Sequence, residues 1–340
     1  MSQTPERRPS MTDVARTAGV SAQTVSRVLN NPERVAAPTR ERVLSAIKML
    51  GYRRNSSARA LKRSRSETIG VIHTGSSAYG PQSMLDAIEQ AARRESLGTQ
   101  VAVAGGSARE ARDAIDHLLD YGIDGLVAVS TFEWMVEVVR RVEVTVPIVA
   151  VEAGSRGSGN ISVVAVDQVG GALEMMKHLY DQGYRRIDHL SGPPAWLDGR
   201  ERIIGWRQFL AQHPDVTGRL VEGDWDAQSG YDYVQRYADD LPDAIYAGND
   251  AMAAGILRGL WERGIAVPDQ VAVAGTDDVA VSAFLCPALT TEQQPFVQVG
   301  SMVVETLIGR MKGFGASTVV VPTQLIPRES TAAREGMAAR

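Results

Sequence analysis

The chain has 340 residues, of which 44% are hydrophobic and 22% charged, which is enough for more than one core and excludes general disorder. Its single cysteine, Cys286, excludes a framework of intramolecular disulfides and is typical of a reducing compartment. The first residues lack a secretory apolar run, and no later stretch approaches the roughly eighteen apolar residues of a membrane span. We therefore expect a cytoplasmic protein and no membrane.

The charge is divided unevenly along the chain, although the formal net charge is only −4. Residues 1–66 carry 14 Lys and Arg against 4 Asp and Glu, a net charge of +10. The remainder carries 22 against 36, a net charge of −14. Positive charge confined to one end is typical of a polyanion-binding module attached to a body with another role. A solvated basic tail is the alternative.

The N-terminal segment has the apolar spacing of three short helices. The apolar positions of the three are Val14, Ala15 and Ala18; Val25, Val28 and Leu29; and Val43, Ile47 and Leu50. Gly19 separates the first two helices, and Ser21 can cap the second, which an Asn-Asn-Pro run ends. The third is predicted from Thr39 up to Gly51. Together they predict a compact helical module.

The second helix begins with the stretch SAQTVSR, residues 21–27, whose outward positions are small or polar. A helix, a glycine turn and a capped helix make a helix-turn-helix, whose second helix enters the DNA major groove. There Gln23 can pair with adenine and Arg27 with guanine or a phosphate, while Ala22 offers only a methyl contact. The stretch therefore predicts double-stranded DNA as a partner. A three-helix bundle with an incidental polar face is the alternative.

A basic, small and polar segment, RRNSSARALKRSRS at residues 53–66, follows the module and is typical of a linker. Beyond it, apolar runs rich in Val and Ile alternate with amphipathic stretches. The first four runs are residues 68–74, 99–106, 124–130 and 147–153, and the alternation restarts after ISVVAVD. Runs without polar alternation indicate strands buried on both faces. We expect an α/β body of two doubly wound lobes with parallel sheets.

Polar residues end several of these runs, at the sheet edge where ligands of such folds bind. They are Thr74, Glu152, Asp167, Asn249, Asp250, Asp277 and Asp278. A binding site at this edge is therefore expected.

Motifs of catalysis and cofactor binding are missing from the sequence. AGGSARE lacks the GxGxxG pattern of a dinucleotide site, and neither a GxxxxGK[ST] phosphate loop nor a GxSxG elbow occurs. The 5 histidines are scattered without ligand spacing. We expect no enzyme, no cofactor and no metal site. A transport-type solute-binding protein is the rival by fold, but it would need an export signal and would not need residues 1–66.

The segment MTDVARTAGVSAQTVSRVLNNPERVAAPTRERVLSAIKMLGYRRN resembles the headpiece of the lactose repressor (LacI/GalR) family of bacterial transcriptional regulators. The resemblance continues to about residue 331 through TIGVI, HLSGPP, GRERIIGW, EGDW, GNDAMAAG, VAVAGTDD and PALTTEQQ. It implies an all-α headpiece, a hinge helix and two lobes like those of periplasmic sugar-binding proteins. It also implies a homodimer, because the tetramerisation helix of the lactose repressor has no counterpart here.

The resemblance also implies where the parts begin and end. The headpiece is expected at residues 10–54, the hinge helix and linker at 55–66, and the core at 67–331. Within the core, the N-lobe is expected at about 67–165 and 294–320, and the C-lobe at about 166–293 and 321–331. The chain would therefore cross between the lobes more than once.

In this family the hinge helix folds when two subunits lie side by side on an operator, and NSSARALKR at residues 55–63 is similar to it. Leu61 matches the residue that wedges into the minor groove, where insertion costs roughly a few kcal/mol of stacking that contacts with bent DNA can offset. A stray apolar residue in a linker is the alternative. The expected DNA contacts are Ser10, Ser21, Ala22, Gln23, Ser26, Arg27, Asn30, Arg34, Asn55 and Leu61.

The same resemblance implies an effector site between the lobes. Arg202 matches an arginine that reaches ligand hydroxyls or carboxylates, Asn249 and Asp277 match residues that bind sugar hydroxyls, and Trp225 matches an aromatic that stacks on the ring. Glu152 stands where the lactose repressor pattern has Asp, which leaves the exact sugar open. The expected ligand contacts are Thr74, Glu152, Arg202, Trp225, Asn249, Asp277 and Gln294.

Structural roles are the alternatives for some of these side chains. Trp225 could fill the core, and Asp277 and Asp278 could cap a following helix. Trp196 and Tyr79 also lie near the expected cleft.

We therefore expect a sequence-specific repressor that a small sugar, a galactoside or related glycoside, releases from a palindromic operator. Sugar binding would favour a lobe arrangement in which the paired hinge helices cannot sit together. A purine or other small molecule is the alternative effector.

Overall fold

The computed structural model describes residues 9–52, 65–154 and 156–332. The chain divides into two compact units, Met1–Ser66 and Glu67–Arg340. The first is helical and the second contains two parallel-stranded sheets with helices around them, so the predicted fold class is confirmed. Within the described ranges, no helix has the length and apolarity needed to cross a membrane.

The first unit contains three helices, α1 (Met11–Ala18), α2 (Ala22–Asn30) and α3 (Ala37–Leu50). Gly19 ends α1 with a φ of 63°, a left-handed conformation that suits glycine. The third helix begins two residues before the predicted Thr39, because Pro38 is tolerated in a first turn, where its missing N–H is not needed. Val14, Val25 and Val43, one from each helix, are fully buried and form the centre of this small core.

In the second unit, strands and helices alternate along most of the chain. The strands are β1 (Thr68–His73), β2 (Gly98–Val103), β3 (Gly125–Val129), β4 (Ile148–Val151), β5 (Ile161–Val166), β6 (Ile187–Ser191), β7 (Leu220–Glu222), β8 (Ala244–Ala247), β9 (Ala272–Asp277), β10 (Thr290–Gln293), β11 (Thr318–Val321) and β12 (Gln324–Ile326). The helices are α4 (Tyr79–Arg94), α5 (Ala108–Asp120), α6 (Glu133–Arg141), α7 (Gln168–Asp181), α8 (Leu197–Gln212), α9 (Ala227–Tyr237), α10 (Asp250–Glu262) and α11 (Phe296–Met311).

These elements form two lobes, each with a six-stranded sheet. The N-lobe sheet has the order β11-β5-β4-β3-β1-β2, with all neighbours parallel. The C-lobe sheet has the order β12-β10-β9-β8-β6-β7, in which only β12 is antiparallel to its neighbour. Apolar clusters lie on both faces of each sheet, which is why most strands lack polar alternation.

The chain passes between the lobes at three places in the described core. It leaves the N-lobe between β5 and α7, returns between β10 and α11, and leaves again between β11 and β12. Strands β5 and β11 end at Val166 and Val321, one residue past the expected lobe boundaries at 165 and 320. These crossings bring Gln168 and Gln294 to the space between the two sheets.

Strand β2 differs from the expectation that the apolar runs are buried on both faces. It is an edge strand, paired with β1 alone, and its Val101 and Val103 are 43% and 56% exposed. The run lacks polar alternation because its outward side chains are apolar, and an apolar edge left to solvent is unusual. Strand β2 is therefore a candidate contact surface.

Candidate functional site

Helix α2 presents a polar surface supported by an apolar one. Ala22, Gln23 and Arg27 are exposed, whereas Val25 and Val28 on the opposite face are buried. Because the buried valines fix the rotation of the helix, the exposed side chains share one outward face. This geometry agrees with the expected reading surface of a helix-turn-helix.

The other expected DNA contacts that the structure describes have local partners. Ser10 caps α1, with its Oγ accepting from the Asp13 amide at 3.3 Å, and Ser21 caps α2, accepting from Thr24 at 3.1 Å. Half-buried Ser26 accepts from the Asn30 side chain at 3.2 Å. Arg34 is exposed at the end of a short 3-10 turn, and Asn55 and Leu61 lie outside the described residues.

A cavity of about 520 Å³, part of it open to solvent, lies between the carboxyl ends of the two sheets. Ligands of folds with parallel sheets bind at this edge. The N-lobe contributes mostly apolar lining, namely Gly80, Pro81, Met84, Val129, Ser130, Thr131, Val151, Glu152, Ala153, Ala165, Val166 and Phe296. The C-lobe and the crossing segments contribute polar lining, namely Gln168, Asp198, Arg202, Asp277 and Gln294. The cavity thus has one apolar and one polar wall.

Arg202 is the centre of the polar wall and is 6% exposed. Its Nε donates to Oε1 of Gln168 at 2.9 Å, and its Nη1 donates to the carbonyl of Gly248. Gln168 in turn donates from Nε2 to Oε1 of Gln294 at 2.8 Å. The Nε2 of Gln294 is buried without a partner in the described structure, so it remains a donor for a ligand.

Glu152 lies in the apolar wall and is paired with an arginine that the sequence pattern does not indicate. Arg140, on α6, donates from Nη2 to Oε1 of Glu152 at 3.0 Å, while the Glu152 side chain is 1% exposed. A carboxylate this buried requires such a pairing, because an isolated one is costly to desolvate.

Asp277 reaches the cavity through an unusual turn. Asp277 and Asp278 have φ values of 116° and 51°, which non-glycine residues rarely adopt. Arg328 Nη2 and Gln293 Nε2 hold the Asp278 carboxylate at 2.6 and 2.7 Å. Neither aspartate caps a helix, since the 3-10 turn that follows, Ser282–Phe284, has no side-chain cap. The capping alternative is therefore wrong for both.

Burial acts strongly on the carboxyls of the polar wall. It raises the pKa of Asp277 to about 8, although the nearby Arg202 acts in the opposite direction. It also raises the pKa of Asp198, again against Arg202. These carboxyls share the wall with the single arginine that faces them.

Three expected ligand contacts, Thr74, Trp225 and Asn249, lie outside the cavity lining. The hydroxyl of Thr74 contacts that of Thr131 at 3.0 Å. The side chain of Asn249 caps α10, accepting from the Met252 amide at 2.9 Å, and donates to the Trp225 carbonyl at 2.9 Å. Both ends of that amide are thus already bonded within the protein.

The indole of Trp225 packs against the C-lobe beside Arg202. A Cβ at Gly192 would lie 1.9 Å from its Cζ2, so the indole needs glycine there. The Arg202 guanidinium is 5.7 Å from the indole centroid, and the Nε1 of Trp225 is buried without a partner in the described structure. Stacking of Trp225 on a ligand stays a prediction.

Aromatic contacts join the lobes beside the cavity. Phe132 of the N-lobe meets Trp196 of the C-lobe edge-on at 5.1 Å, and Trp196 meets Trp225 at 5.6 Å. The Leu197 amide donates to the Thr131 carbonyl at 3.0 Å. Tyr79, by contrast, is 45% exposed and contacts Phe296 at 5.8 Å. Of the two aromatics expected near the cleft, Trp196 forms part of the contact between lobes.

Several lining residues escaped the sequence reasoning. Asp198 precedes Arg202 by four residues on α8, and Phe296 follows Gln294 by two, so both spacings could have indicated them. Ser130 ends the apolar run 124–130 at the same sheet edge, so the strand-end pattern could have indicated it, whereas no sequence signal indicates that Arg140 pairs with Glu152. Within the described ranges, no cluster of three or more His, Cys, Asp or Glu could hold a metal ion.

A helix-turn-helix with an outward polar face and a two-lobed core with a cavity between the lobes are features of a ligand-responsive DNA-binding protein. Residues 10–55 match the family model of bacterial regulatory proteins of the lacI family, and residues 176–331 match a periplasmic binding protein-like domain. Both matches agree with the two units of the fold.

Proteins that are similar over most of the chain are also transcriptional repressors. The chain is 32% identical to the transcriptional repressor PurR of Vibrio parahaemolyticus over 306 residues, covering 88% of this chain and 91% of that protein. It is 30% identical to the ribose operon repressor of Escherichia coli K12 over 309 residues, covering 88% and 92%. A crystal structure of the lac repressor dimer bound to operator and the anti-inducer ONPF superposes with a TM-score of 0.87 at 28% identity, covering 96% and 100%.

The chain therefore belongs to the LacI family of bacterial regulatory proteins. It is a DNA-binding transcriptional repressor with an effector-binding core.

The buried carboxyl of Asp277 makes stability depend on pH. An unfolded aspartate loses its proton near pH 4, whereas Asp277 in the fold loses it near pH 8, so ionisation opposes folding across this window. We expect the free energy of unfolding of the wild type to fall with rising pH, with up to about 1.4 kcal/mol per pH unit from this group. The variant Asp277→Asn should lack this contribution to the pH dependence, and asparagine tolerates positive φ.

Urea unfolding between pH 4 and 8 measures this difference. Asp239→Asn, which removes an exposed carboxylate from the same lobe, is the control and should follow the wild type. Parallel stability curves for the wild type and Asp277→Asn would contradict the assignment.

Proposed function

We propose that the chain is a homodimeric repressor that binds a palindromic operator in the cytoplasm and is released from it by a small sugar, a galactoside or related glycoside. The proposal rests on the cavity between the lobes, which pairs an apolar wall with a polar one. Sugars display an apolar C–H face and a rim of hydroxyls that need donors and acceptors. Ribose, named in one relative, is itself a sugar.

The polar wall supplies both kinds of partner that hydroxyls need. Arg202 and the unpartnered Nε2 of Gln294 are donors, while the carboxyls of Asp277 and Asp198 accept. On the opposite wall, Phe296 offers an aromatic surface. A sugar lying between the walls would satisfy both.

Operator reading is assigned to α2. Gln23 and Arg27 are exposed and can each make two hydrogen bonds to a base in the major groove, whereas Ala22 contributes a methyl contact. The Ser10 and Ser21 side chains cap their helices, so their contribution is to order two helix N-termini, which favour phosphate. Leu61 and Asn55 keep their proposed roles in the hinge.

Release from the operator follows from linkage. A sugar changes operator affinity only if it binds one lobe arrangement more tightly than the other. The contacts of Phe132 with Trp196 and of Leu197 with Thr131 lie beside the cavity and depend on lobe position. We propose that the bound sugar shifts these contacts and thereby separates the paired hinge segments.

Two copies of the chain are proposed to meet through apolar surfaces on both lobes. In the N-lobe the surface is the β2 edge with Val101 and Val103, and in the C-lobe it is the segment with Val281 and Phe284. Phe284 is 82% exposed and Val281, three residues before it, is 56% exposed, so the two can form an apolar patch for a partner. The structural relative bound to operator is likewise a dimer.

Loss of Arg27 tests the reading helix. Arg27→Ala should weaken binding to the promoter DNA of the protein's own gene by about 1 to 3 kcal/mol, because a base or phosphate contact is lost. Arg42→Ala removes the same charge from an exposed position on α3 and is the matched control. Fluorescence anisotropy on labelled DNA measures both. Equal affinity for Arg27→Ala and wild type would argue against the groove assignment.

Ligand screening tests the sugar and the role of Trp225. Among galactose, methyl galactoside, lactose, ribose and guanine, we expect a sugar to raise the melting temperature, and Trp225→Ala to weaken its binding. Trp261→Ala, which truncates an exposed tryptophan of the same lobe, should leave binding unchanged. Equal sugar binding by wild type and Trp225→Ala would refute stacking, and a response to guanine alone would favour the purine alternative.

Charge placed on the proposed dimer surface should disrupt it. Phe284→Asp puts a carboxylate where an apolar contact is needed, so sedimentation velocity should detect a shift from dimer toward monomer. Phe314→Asp alters an N-lobe phenylalanine that is 68% exposed and should leave the dimer intact. An unchanged dimer for Phe284→Asp would exclude this surface.

A further inference from the structure

Glu292 is a buried carboxyl that the proposed effector site does not use. It lies on β10, opposite Thr276 of β9 and Leu325 of β12, and is 1% exposed. Leu325 packs against the apolar cluster that α7 forms with the sheet, and Glu292 projects into the same region because residues directly opposite each other share one face. Within residues 9–52, 65–154 and 156–332, neither of its carboxyl oxygens has a hydrogen-bond partner. The fold therefore buries this group without a donor that would satisfy its charge.

Glu292 borders the segments that cross between the lobes. Two residues after it, Gln294 at the second crossing accepts a hydrogen bond from Gln168 at the first crossing, at 2.8 Å. The third crossing is joined to the first, because the Asp167 amide donates to the Val321 carbonyl at 2.9 Å. The three crossings are thus bonded to one another, and one of them continues the strand that carries Glu292.

The third crossing also packs against the helix that covers Glu292. A Cβ at Gly171, in the first turn of α7, would lie 2.5 Å from the Oγ1 of Thr323. Helix α7 in turn packs on β10 and β12. Because the half-buried Thr323 is also close enough to act on the charge of Glu292, its movement away from α7 would open a path from solvent to the carboxyl.

The neighbouring charges do not compensate an ionised Glu292. Burial has the largest effect and raises the pKa of Glu292 to about 8, and the Glu174 carboxylate on α7 acts in the same direction. The Thr323 hydroxyl and Arg202 favour the charged form, but the hydroxyl completes no hydrogen bond with it and the guanidinium is bonded elsewhere. Tyr246 on β8 is neutral because burial raises its pKa to about 12, and the residues opposite Glu292 on β9 and β12 are uncharged. The carboxyl therefore keeps its proton at neutral pH while it stays buried.

We propose that Glu292 is a pH-sensitive element of the core, which holds the three crossings together while it carries a proton and loosens them when it is ionised. An ionised carboxyl without donors is costly to keep from water, so the ionised state favours any arrangement that hydrates it. Glu174 is exposed on α7 and Thr323 is half-buried, which places solvent close to this carboxyl. Because the crossings connect the lobes, pH acts on the same arrangement as the effector.

The direction of the pH effect follows from linkage. In the described arrangement Glu292 keeps its proton up to about pH 8, whereas a hydrated glutamate loses it at about pH 4. Between these two values, rising pH favours a hydrated arrangement by up to about tenfold per pH unit. We therefore expect the crossings to be held more tightly at pH 6 than at pH 8.

Hydrogen–deuterium exchange of the full-length protein at pH 6 and pH 8, corrected for the pH dependence of chemical exchange, tests this expectation. In the wild type, the protection of peptides that contain residues 166–168 and 321–324 should fall by at least about threefold between these pH values. Glu292→Gln keeps the size of the side chain and cannot ionise, so it should show at most about half of that fall. Glu292→Val, which suits a strand in an apolar cluster, should behave in the same way.

Glu222→Gln is the matched control, because it removes an exposed carboxylate from β7 of the same lobe, and it should follow the wild type. A fall in protection that is equal in the wild type, Glu292→Gln and Glu292→Val would overturn the inference, because another group would then cause it. Unchanged protection in the wild type would overturn it as well.

Operator binding distinguishes this inference from the proposed function. Its consequence for DNA rests on the proposed linkage between the lobes and the hinge segments, whereas the exchange measurement does not. With promoter DNA of the protein's own gene, the affinity of the wild type should fall more between pH 6 and pH 8 than that of Glu292→Gln, because loosened crossings no longer hold the lobes in one arrangement. If exchange depends on Glu292 and DNA affinity does not, the pH-sensitive element is supported and the proposed linkage to the operator fails.

Discussion

The hydrogen bonds of Arg202 organise the polar wall of the cleft. This buried guanidinium joins α8 to Gln168, at the first crossing between lobes, and to the Gly248 carbonyl beyond β8. Gln168 in turn donates a hydrogen bond to Gln294, which lies at the second crossing. A buried cation must keep such partners, since losing one would leave the charge uncompensated. Arg202 thereby ties two of the segments that cross between the lobes to the interior of the C-lobe.

The contacts between lobes continue from Arg202 through aromatic rings. Its guanidinium lies near Trp225, which touches Trp196, which touches Phe132 of the other lobe. The cavity opens beside these aromatic rings. A ligand that binds Arg202 thus acts where the lobes are held together, and this placement gives a physical route from effector binding to lobe arrangement. Two carboxyls near the same arginine, Asp198 and Asp277, have raised pKa values because burial disfavours their charged forms.

The sequence predicted much of this structure because its periodic patterns are local. Helix caps, apolar spacing and strand ends indicated the headpiece, the two lobes and the cavity position of Asp277, whereas that of Arg202 came from the resemblance to the family. Pairing between distant elements leaves no such pattern, so the ion pair of Arg140 could not be foreseen. The packing of Trp225 depends on a glycine in another segment. Asp198 was not predicted because an aspartate one turn before an arginine is equally typical of an exposed ion pair on a helix surface.

We propose that a sugar couples the cavity to the DNA-binding unit. Its most direct test is the affinity of the full-length protein for the promoter DNA of its own gene, measured with and without galactose, methyl galactoside, lactose and ribose. We expect at least one sugar to weaken DNA binding, and Arg202→Ala to abolish this effect while DNA affinity without sugar is retained. DNA affinity that no sugar changes, or a sugar effect that persists in Arg202→Ala, would rule out this coupling.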